Sequence, residues 1–467
     1  MQTLRDTPRA KSSLRRAARL RTLVGFLTLA SCAIHEGTDS PTSPGSKPGT
    51  TGESAPSLGR IGQALAGQDG DFTVTAANTV LNSYGQLGVS VAPGANTITV
   101  TNIADLNNPV NGMPLKKGDL VMLYQPQGAA IDTTDDPKLY GNVTALNGAG
   151  YYEVVVVDSV AGNIITTGTC GGVKNDYRAP AGGQAIRIPQ FANLTVQAGA
   201  SVVAKAWDGK VGGVVALHVQ GKLTIAGNID ATAQGFRGGK TDAMSNTAGS
   251  PKVTTARTTD GMQGAEKGES IAGSQDDYQT NFMGKYGRGA VANGGGGGNA
   301  HNAGGGGGAG GGDPMMMWTG QGVMDLLAVG AGMAWPLEQA YKDNGNKPTS
   351  SIGGGRGGHT FSRPAAGVFT DPTVDGPSLD KWGGDKRQDV GGLGGRPLSP
   401  NLGFQVFLGG GGGAGDQDNN SGGIGGNGGG LVFIVTGSVA VPGPGTGIIT
   451  ANGGDGGDTA NSHNDGA

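Results

Sequence analysis

The sequence predicts a mainly β protein, with a β-rich N-terminal module followed by a glycine-rich, β-solenoid-like domain holding polyglycine-type helices. Three observations carry that expectation. Short β-branched runs bounded by Gly, Asn, Asp or Pro recur between residue 71 and about residue 194, and helical heptads are absent. A pattern of glycine, strand, glycine, strand occurs twice, at residues 213–231 and 430–451. Two glycine tracts, residues 294–312 and 409–430, are broken by little besides Asn, Ala, Asp and one His, and the second runs directly into LVFIVTG. Glycine in that density belongs where backbones pack on backbones, because only a residue without Cβ fits the crowded axis between extended three-residue-per-turn helices. With 95 glycines in 467 residues, order there has to come from backbone hydrogen bonds rather than from side-chain burial.

Residues 1–32 are an address rather than part of the fold. Seven basic residues between Arg5 and Arg21 precede the apolar run LVGFLTLA, which is too short to span a bilayer and reads as a signal peptide. It ends in Leu29-Ala30-Ser31-Cys32, which resembles the lipobox of bacterial lipoproteins. That resemblance implies lipidation of Cys32, a membrane partner through the lipid, and, with Ala33 rather than Asp following the Cys, the outer membrane. Cys170 then has no disulfide partner within the chain, and no local base or basic cluster would activate it as a nucleophile. Residues 33–70 are Pro, Ser, Thr and Gly without apolar periodicity, a tether with a mean reach of roughly 30–40 Å.

Residues 71–183 are expected to form a sandwich or barrel-like module. Its strands include KKGDLVMLYQPQGA and GYYEVVVVDSV, with Leu120, Val121, Leu123, Val154 and Val156 as inward positions. Residues 184–467 are expected to form the glycine-rich, solenoid-like domain, because short strands punctuated by glycine bury their inward side chains by stacking turn on turn. Residues 184–189 and 192–196 supply further candidate rungs, and residues 240–428 form an insertion. Within it, Met315, Met316, Met317 and Trp318 begin an apolar island that serves either as local core or as a binding surface.

Charge and motif content exclude several functions. A formal net charge of −3 with no basic stripe gives no footprint for nucleic acid. The five histidines lie far apart, without zinc-ligand spacing, and no Gly-x-Gly-x-x-Gly match stands between a strand and a helix. Asp416, Asp418 and Asn420 place oxygens at alternate positions, as a calcium loop does, but lack its glycine and its bidentate glutamate. A solvated loop is the better reading of them. No other cofactor is expected. Asp208 and Asp230 are the candidate carboxylates for glycoside hydrolysis on a solenoid face, against which stands their reading as turn aspartates.

KGDLVMLYQPQG (117–128), RIPQF (187–191), WDGKVGG (207–213), GFRGG (235–239) and FLGGGGGAG (407–415) together resemble glycine-rich surface proteins of gliding myxobacteria, labelled adventurous gliding motility proteins. The likeness covers about residues 75–455. It implies a surface role in motility or attachment rather than an enzyme. The glycine tracts are also similar to the polyglycine bundles of phage tail-tip adhesins and of certain receptor kinases, where a rigid framework displays recognition loops. The expected protein is a lipid-anchored structural or adhesive surface element, without catalytic residues, with a surface polysaccharide or envelope protein as partner. A polysaccharide-degrading solenoid enzyme and a passive envelope component are the alternatives.

Overall fold

The computed structural model describes residues 67–168, 171–241, 255–261, 264–299, 303–311, 317–322, 344–345, 347, 351–358, 391–416, 422–443 and 446–457, together with the backbone of 374–375 and 386–387. Strand accounts for 31% of the structure and helix for 5%, so the mainly β expectation holds. The first strands are β1 (Phe72–Val74), β2 (Thr79–Val80), β3 (Ser83–Gln86), β4 (Thr97–Thr99), β5 (Leu120–Tyr124), β6 (Ala130–Ile131), β7 (Val143–Ala145), β8 (Tyr152–Ala161), β9 (Ile164–Thr167) and β10 (Gln184–Ile188). They are followed by β11 (Gln190–Phe191), β12 (Leu194–Val196), β13 (Ser201–Val203), β14 (Val214–Ile225), β15 (Asn228–Asp230), the helix α1 (Gln275–Asn281), β16 (Val374–Asp375), β17 (Lys386–Arg387), β18 (Leu431–Ala440) and β19 (Ile448–Thr450).

An antiparallel sheet in the order β3-β10-β5-β8-β9-β4 occupies the N-terminal region. Its central strand β5 is buried on both faces: Leu120, Met122 and Tyr124 join one apolar cluster, while Val121 and Leu123 join another. The expected single inward face is therefore corrected to two. Val154 is fully buried and Val156 half-buried on the first face, while Val155 and Val157 fill the second. A strand covered on both sides reads as a continuous apolar run, which is what LVMLY is.

Two stacks of parallel strands lie beside this sheet. In one, β1, β12, β14 and β18 run side by side, aligning Phe72, Leu194, Leu223 and Val439. In the other, β2, β13, β15 and β19 align Thr79, Val202, Ile229 and Ile449. Each strand of the first stack turns within a few residues into its mate in the second, giving four superposed layers. The two glycine-punctuated copies are neighbouring layers, and Val214 pairs with Leu431 and Asn228 with Ile448 in the register that their sequences suggested. Val74, Val196, Val202, Leu223, Ile225 and Ile229 are buried between the stacks. Each such side chain contributes about 1.5–3 kcal/mol of transfer free energy.

The division expected at residues 183/184 does not follow the strands. Phe72–Val74 and Thr79–Val80 form the first layer of the parallel stacks, and Gln184–Ile188 lies between β3 and β5 in the antiparallel sheet instead of forming a rung. β1 finds its partner more than a hundred residues away, so its short apolar pattern carries no local sign of the stack it enters.

Among the described residues of the glycine segments, backbone hydrogen bonds recur at three-residue intervals. Amides of Gly295 and Gly298 donate to Gly411 and Ala414, those of Gly306 and Ala309 to Gly296 and Asn293, and those of Gly392 and Gly395 to Gly304 and Gly307. Close approach requires glycine here: a Cβ on Gly295 would lie 1.9 Å from the Gly306 carbonyl oxygen, and one on Gly298 2.0 Å from that of Ala303.

Charges are buried where these elements meet. Lys267, fully buried, donates from Nζ to the carbonyls of Ala256 (2.6 Å), Gly287 (2.6 Å) and Gly289 (2.7 Å). Glu269, also fully buried, accepts from Arg237 Nε (2.9 Å) and Gln127 Nε2 (3.0 Å). Arg187 and Asp119 pair at 2.9 Å in the interior. The helix α1 is short, opened by a capping box of Ser274 and Asp277, and seats Tyr278 against Gly268 and Ser270.

Candidate functional site

Beside the first two layers a cleft of about 580 Å³ opens, within the span of small-molecule sites, about 300–1000 Å³. One wall is the segment from Val80 to Gln86, a second is the loop 204–213 between β13 and β14, and Thr101 and Asp105 close the third side.

The walls are held by side chains that complete the backbone. Asn82 Oδ1 accepts from the Ala216 amide (3.0 Å), while its Nδ2 donates to the carbonyls of Ala216 (2.7 Å) and Arg187 (3.0 Å). An amide side chain can satisfy both groups of a strand edge, and here it does so where the chain passes from β2 to β3. Tyr84 Oη donates to the Val214 carbonyl (2.7 Å) and accepts from the Lys205 amide (3.3 Å). Burial pushes its phenol well above the ordinary value, so Tyr84 stays protonated and acts as a wall rather than a base.

The loop 204–213 turns around Asp208. Asp208 Oδ1 accepts from the amides of Lys210 and Val211, both at 2.9 Å, and Oδ2 pairs with Lys205 Nζ at 2.8 Å. Burial raises the Asp208 pKa, but the bond from Lys205 and the two amides outweigh it and hold it below the usual carboxylate value. Asp208 is therefore ionised in the cleft. Across from it, Asp105 lies in a short 3-10 helix (Ile103–Leu106) capped by Asn102 and accepts from Asn102 Nδ2 at 2.9 Å. At the floor, Ser83 Oγ is buried with no hydrogen-bond partner among the described residues. The cleft thus holds two carboxylates, the ammonium groups of Lys205 and Lys210, the amides of Asn82 and Gln86 and the hydroxyls of Ser83, Tyr84 and Thr101, the donor and acceptor set of a polyhydroxylated ligand.

Of the residues singled out from sequence, Asp208 falls in this cleft and Asp230 does not. Asp230 ends β15 and accepts from Thr450 Oγ1 at 2.6 Å. Asp416 is fully buried at a glycine segment, its amide donating to Ala303, while Asp418 and Asn420 lie outside the described residues. Among the described residues no cluster of His, Cys, Asp and Glu could hold a metal ion. Trp318 donates from Nε1 to Gly394 (3.0 Å) under Arg396, stacked 3.7 Å from its ring, and Met317 is 81% exposed. Met315, Met316, Cys32 and Cys170 lie outside the described residues. No described helix is long and apolar enough to cross a membrane. Sequence reasoning missed Asp105, Lys205, Lys210, Tyr84 and Gln86. The one available signal was KAWDGK, three charges between two strands in a chain only 15% charged.

No family model and no curated protein matches the chain. Among solved structures it is similar to the Gp54 tailspike of Acinetobacter baumannii bacteriophage AP22 in complex with A. baumannii capsular saccharide, at 13% identity and a TM-score of 0.15 over 35% of this chain and 27% of that one. It is also similar to the gp49 tailspike of Pseudomonas phage LKA1 (14% identity, TM-score 0.15, 34% and 31% covered) and to the gp61 tailspike of Pseudomonas phage phi297 (16%, 0.15, 37% and 30%). The chain spans about a third or less of each tailspike. The expectation that the chain is not an enzyme is corrected here. The solved structures it is similar to are tailspikes, and the expectation is withdrawn.

Proposed function

We propose that the chain is an exported surface protein, anchored through lipidated Cys32, that binds a bacterial polysaccharide in the cleft between Tyr84 and Asp208. The observation that carries this reading is the lining of that cleft, where both charges and neutral hydrogen-bonding groups surround an open space on a rigid wall. In this reading the four layers are a short β-solenoid, the glycine segments with their three-residue period are polyglycine-type helices, and together they stiffen the frame that presents the cleft. A role in surface attachment or gliding agrees with the resemblance of the glycine-rich segments.

Binding of the chain from Ala33 onward to a panel of capsular and surface polysaccharides, with polymer length followed throughout, tests the proposal. Saturable binding that Lys210→Ala or Gln86→Ala weakens supports it. Binding unchanged by both substitutions, or no binding to any polymer, overturns the cleft as the site.

A second reading, hydrolysis of the bound polymer, is favoured by Asp105 and Asp208 facing one cleft, since glycoside hydrolysis takes a pair of carboxylates. Asp208, held ionised, takes the part of base or nucleophile. Shortening of the polymer by the wild type but not by Asp105→Asn distinguishes hydrolysis from binding alone.

A further inference from the structure

His218 is only 7% exposed, yet its Nδ1 has no hydrogen-bond partner among the described residues. It stands on β14 between Gln190 of β11 and Val435 of β18. Its other neighbours come from both halves of the fold. A cavity of about 20 Å³ borders it, lined by Leu120, Met122, Tyr152 and Ile188 of the antiparallel sheet and by Phe433 of the parallel stack. That space admits one water, but a buried water needs two or more polar partners, and His218 and Tyr152 are the only polar side chains of the lining. The Tyr152 hydroxyl is taken, donating to the Leu402 carbonyl.

No charge is placed to offset a proton on this imidazole. Of the charged groups on the elements around it, Asp69 accepts from the Gln190 amide and from Asn108, and Asp119 pairs with Arg187. On β8, Glu153 accepts from the Lys174 and Asn175 amides and Asp158 pairs with Lys117. β18 carries no charge, and Lys222 on β14 itself lies past the register shift that follows Val219. None of them lines the cavity. Burial alone therefore holds the His218 pKa below its ordinary value. The same seam carries the cleft: Asn82 bonds to the backbone of Ala216, which also lines the cavity, and Tyr84 bonds to Val214.

We propose that His218 is an acid-sensitive latch, whose protonation loosens β14 from the antiparallel sheet and with it the wall of the cleft. An imidazolium has a second N–H to satisfy, and here Nδ1 faces no acceptor. Above the unfolded histidine value of about 6.5 both closed and open states are neutral, and His218 has no effect on their balance. Below it the open state takes up the proton first. The open-to-closed ratio then gains up to about tenfold per pH unit, until the folded value is reached. Release of a bound polymer in acid rests on the saccharide reading of the cleft, whereas the latch itself needs no ligand.

Amide hydrogen exchange on the full chain, wild type beside His218→Leu at about pH 7 and about pH 5, reads the outcome. Leucine suits the apolar lining and does not titrate. The ratio of wild-type to variant exchange over 184–188 and 214–219 is expected to rise about tenfold or more between the two pH values. Comparing the chains at one pH removes the intrinsic pH dependence of exchange. Should His218→Leu fail to fold, His218→Gln, neutral throughout, gives the same reading. A ratio that stays constant overturns the latch, and so does a rise confined to strands other than β10 and β14. No polymer enters either measurement, so the latch and the saccharide reading fail separately.

Discussion

Gly410 stands so close to Asn293 that a Cβ on it would lie 1.7 Å from the Asn293 carbonyl oxygen. The Asn293 side chain is itself fixed, accepting from the Ile271 amide (3.1 Å) and donating to the carbonyls of Leu408 (2.9 Å) and Ala309 (3.3 Å). Neither backbone can retreat without breaking these bonds. Gly410→Ala is expected to destabilise the chain by about 3 kcal/mol or more, the upper end of overpacking costs. Gly310→Ala is the control, because a Cβ there meets nothing within 4 Å, and its stability should stay within about 0.5 kcal/mol. Denaturant titration of both variants decides it, and equal effects would mean that the lattice is looser than its hydrogen bonds imply.

Lys267 is a second point of tension. Burial drives its ammonium pKa well below the ordinary lysine value, yet three carbonyls at 2.6–2.7 Å occupy all three donors, an arrangement that a neutral amine with two donors cannot satisfy. The three carbonyls, together with the charge of Asp135, favour the protonated form against that burial. Lys267→Met is expected to cost about 3–5 kcal/mol, because it leaves buried acceptors without partners. A methionine variant as stable as wild type in urea unfolding would show that water replaces the ammonium at no cost.

How much of this was legible in the sequence depended on the range of the interaction. The copies at 213–231 and 430–451 announced their own pairing, because neighbouring layers share one pattern of apolar and glycine positions. The glycine tracts announced backbone packing for the same reason, since glycine is informative where nothing else fits. Phe72–Val74 gave no such sign, being three residues whose partner begins at Leu194. Nor did Lys267 and Glu269, whose segment AEKGES carries no sign of burial and which are sealed by segments from elsewhere in the chain. The cleft was half visible. Asp208 stood out as a carboxylate beside glycine, whereas Asp105 comes from a helix a hundred residues earlier, and only folding sets the two on one space.

Thr450 joins the last layer to the one before it by donating to Asp230 at 2.6 Å. Burial raises the Asp230 pKa, but hydrogen bonds from Thr232 and Thr450 outweigh it and hold it below the usual carboxylate value. A carboxylate depressed on folding adds stability above its unfolded pKa of about 3.9 and loses it as pH falls through the folded value. Thr450→Val should therefore lower the melting temperature slightly near pH 7, and the difference from wild type should close below about pH 4. A gap that stays constant between neutral and acidic pH would assign the loss to packing of β19 instead.

Asp208 separates a binding role from a structural one. Its pair with Lys205 has both side chains about 45% exposed (45% and 44%), and exposed pairs contribute about 0–1 kcal/mol, so Asp208→Asn should leave unfolding within about 1 kcal/mol of wild type. The asparagine oxygen still accepts from the Lys210 and Val211 amides, which keeps the loop in place. What changes is charge at the cleft wall: the carboxylate disappears and Lys205 loses its partner. A polysaccharide that uses this wall should then bind about tenfold or more weakly, and any shortening of the polymer should cease, while circular dichroism stays constant. Calorimetric titration beside a thermal melt reads both quantities on one sample. Unchanged affinity with unchanged stability would remove Asp208 from the site, and lost affinity with lost stability would make it a loop staple.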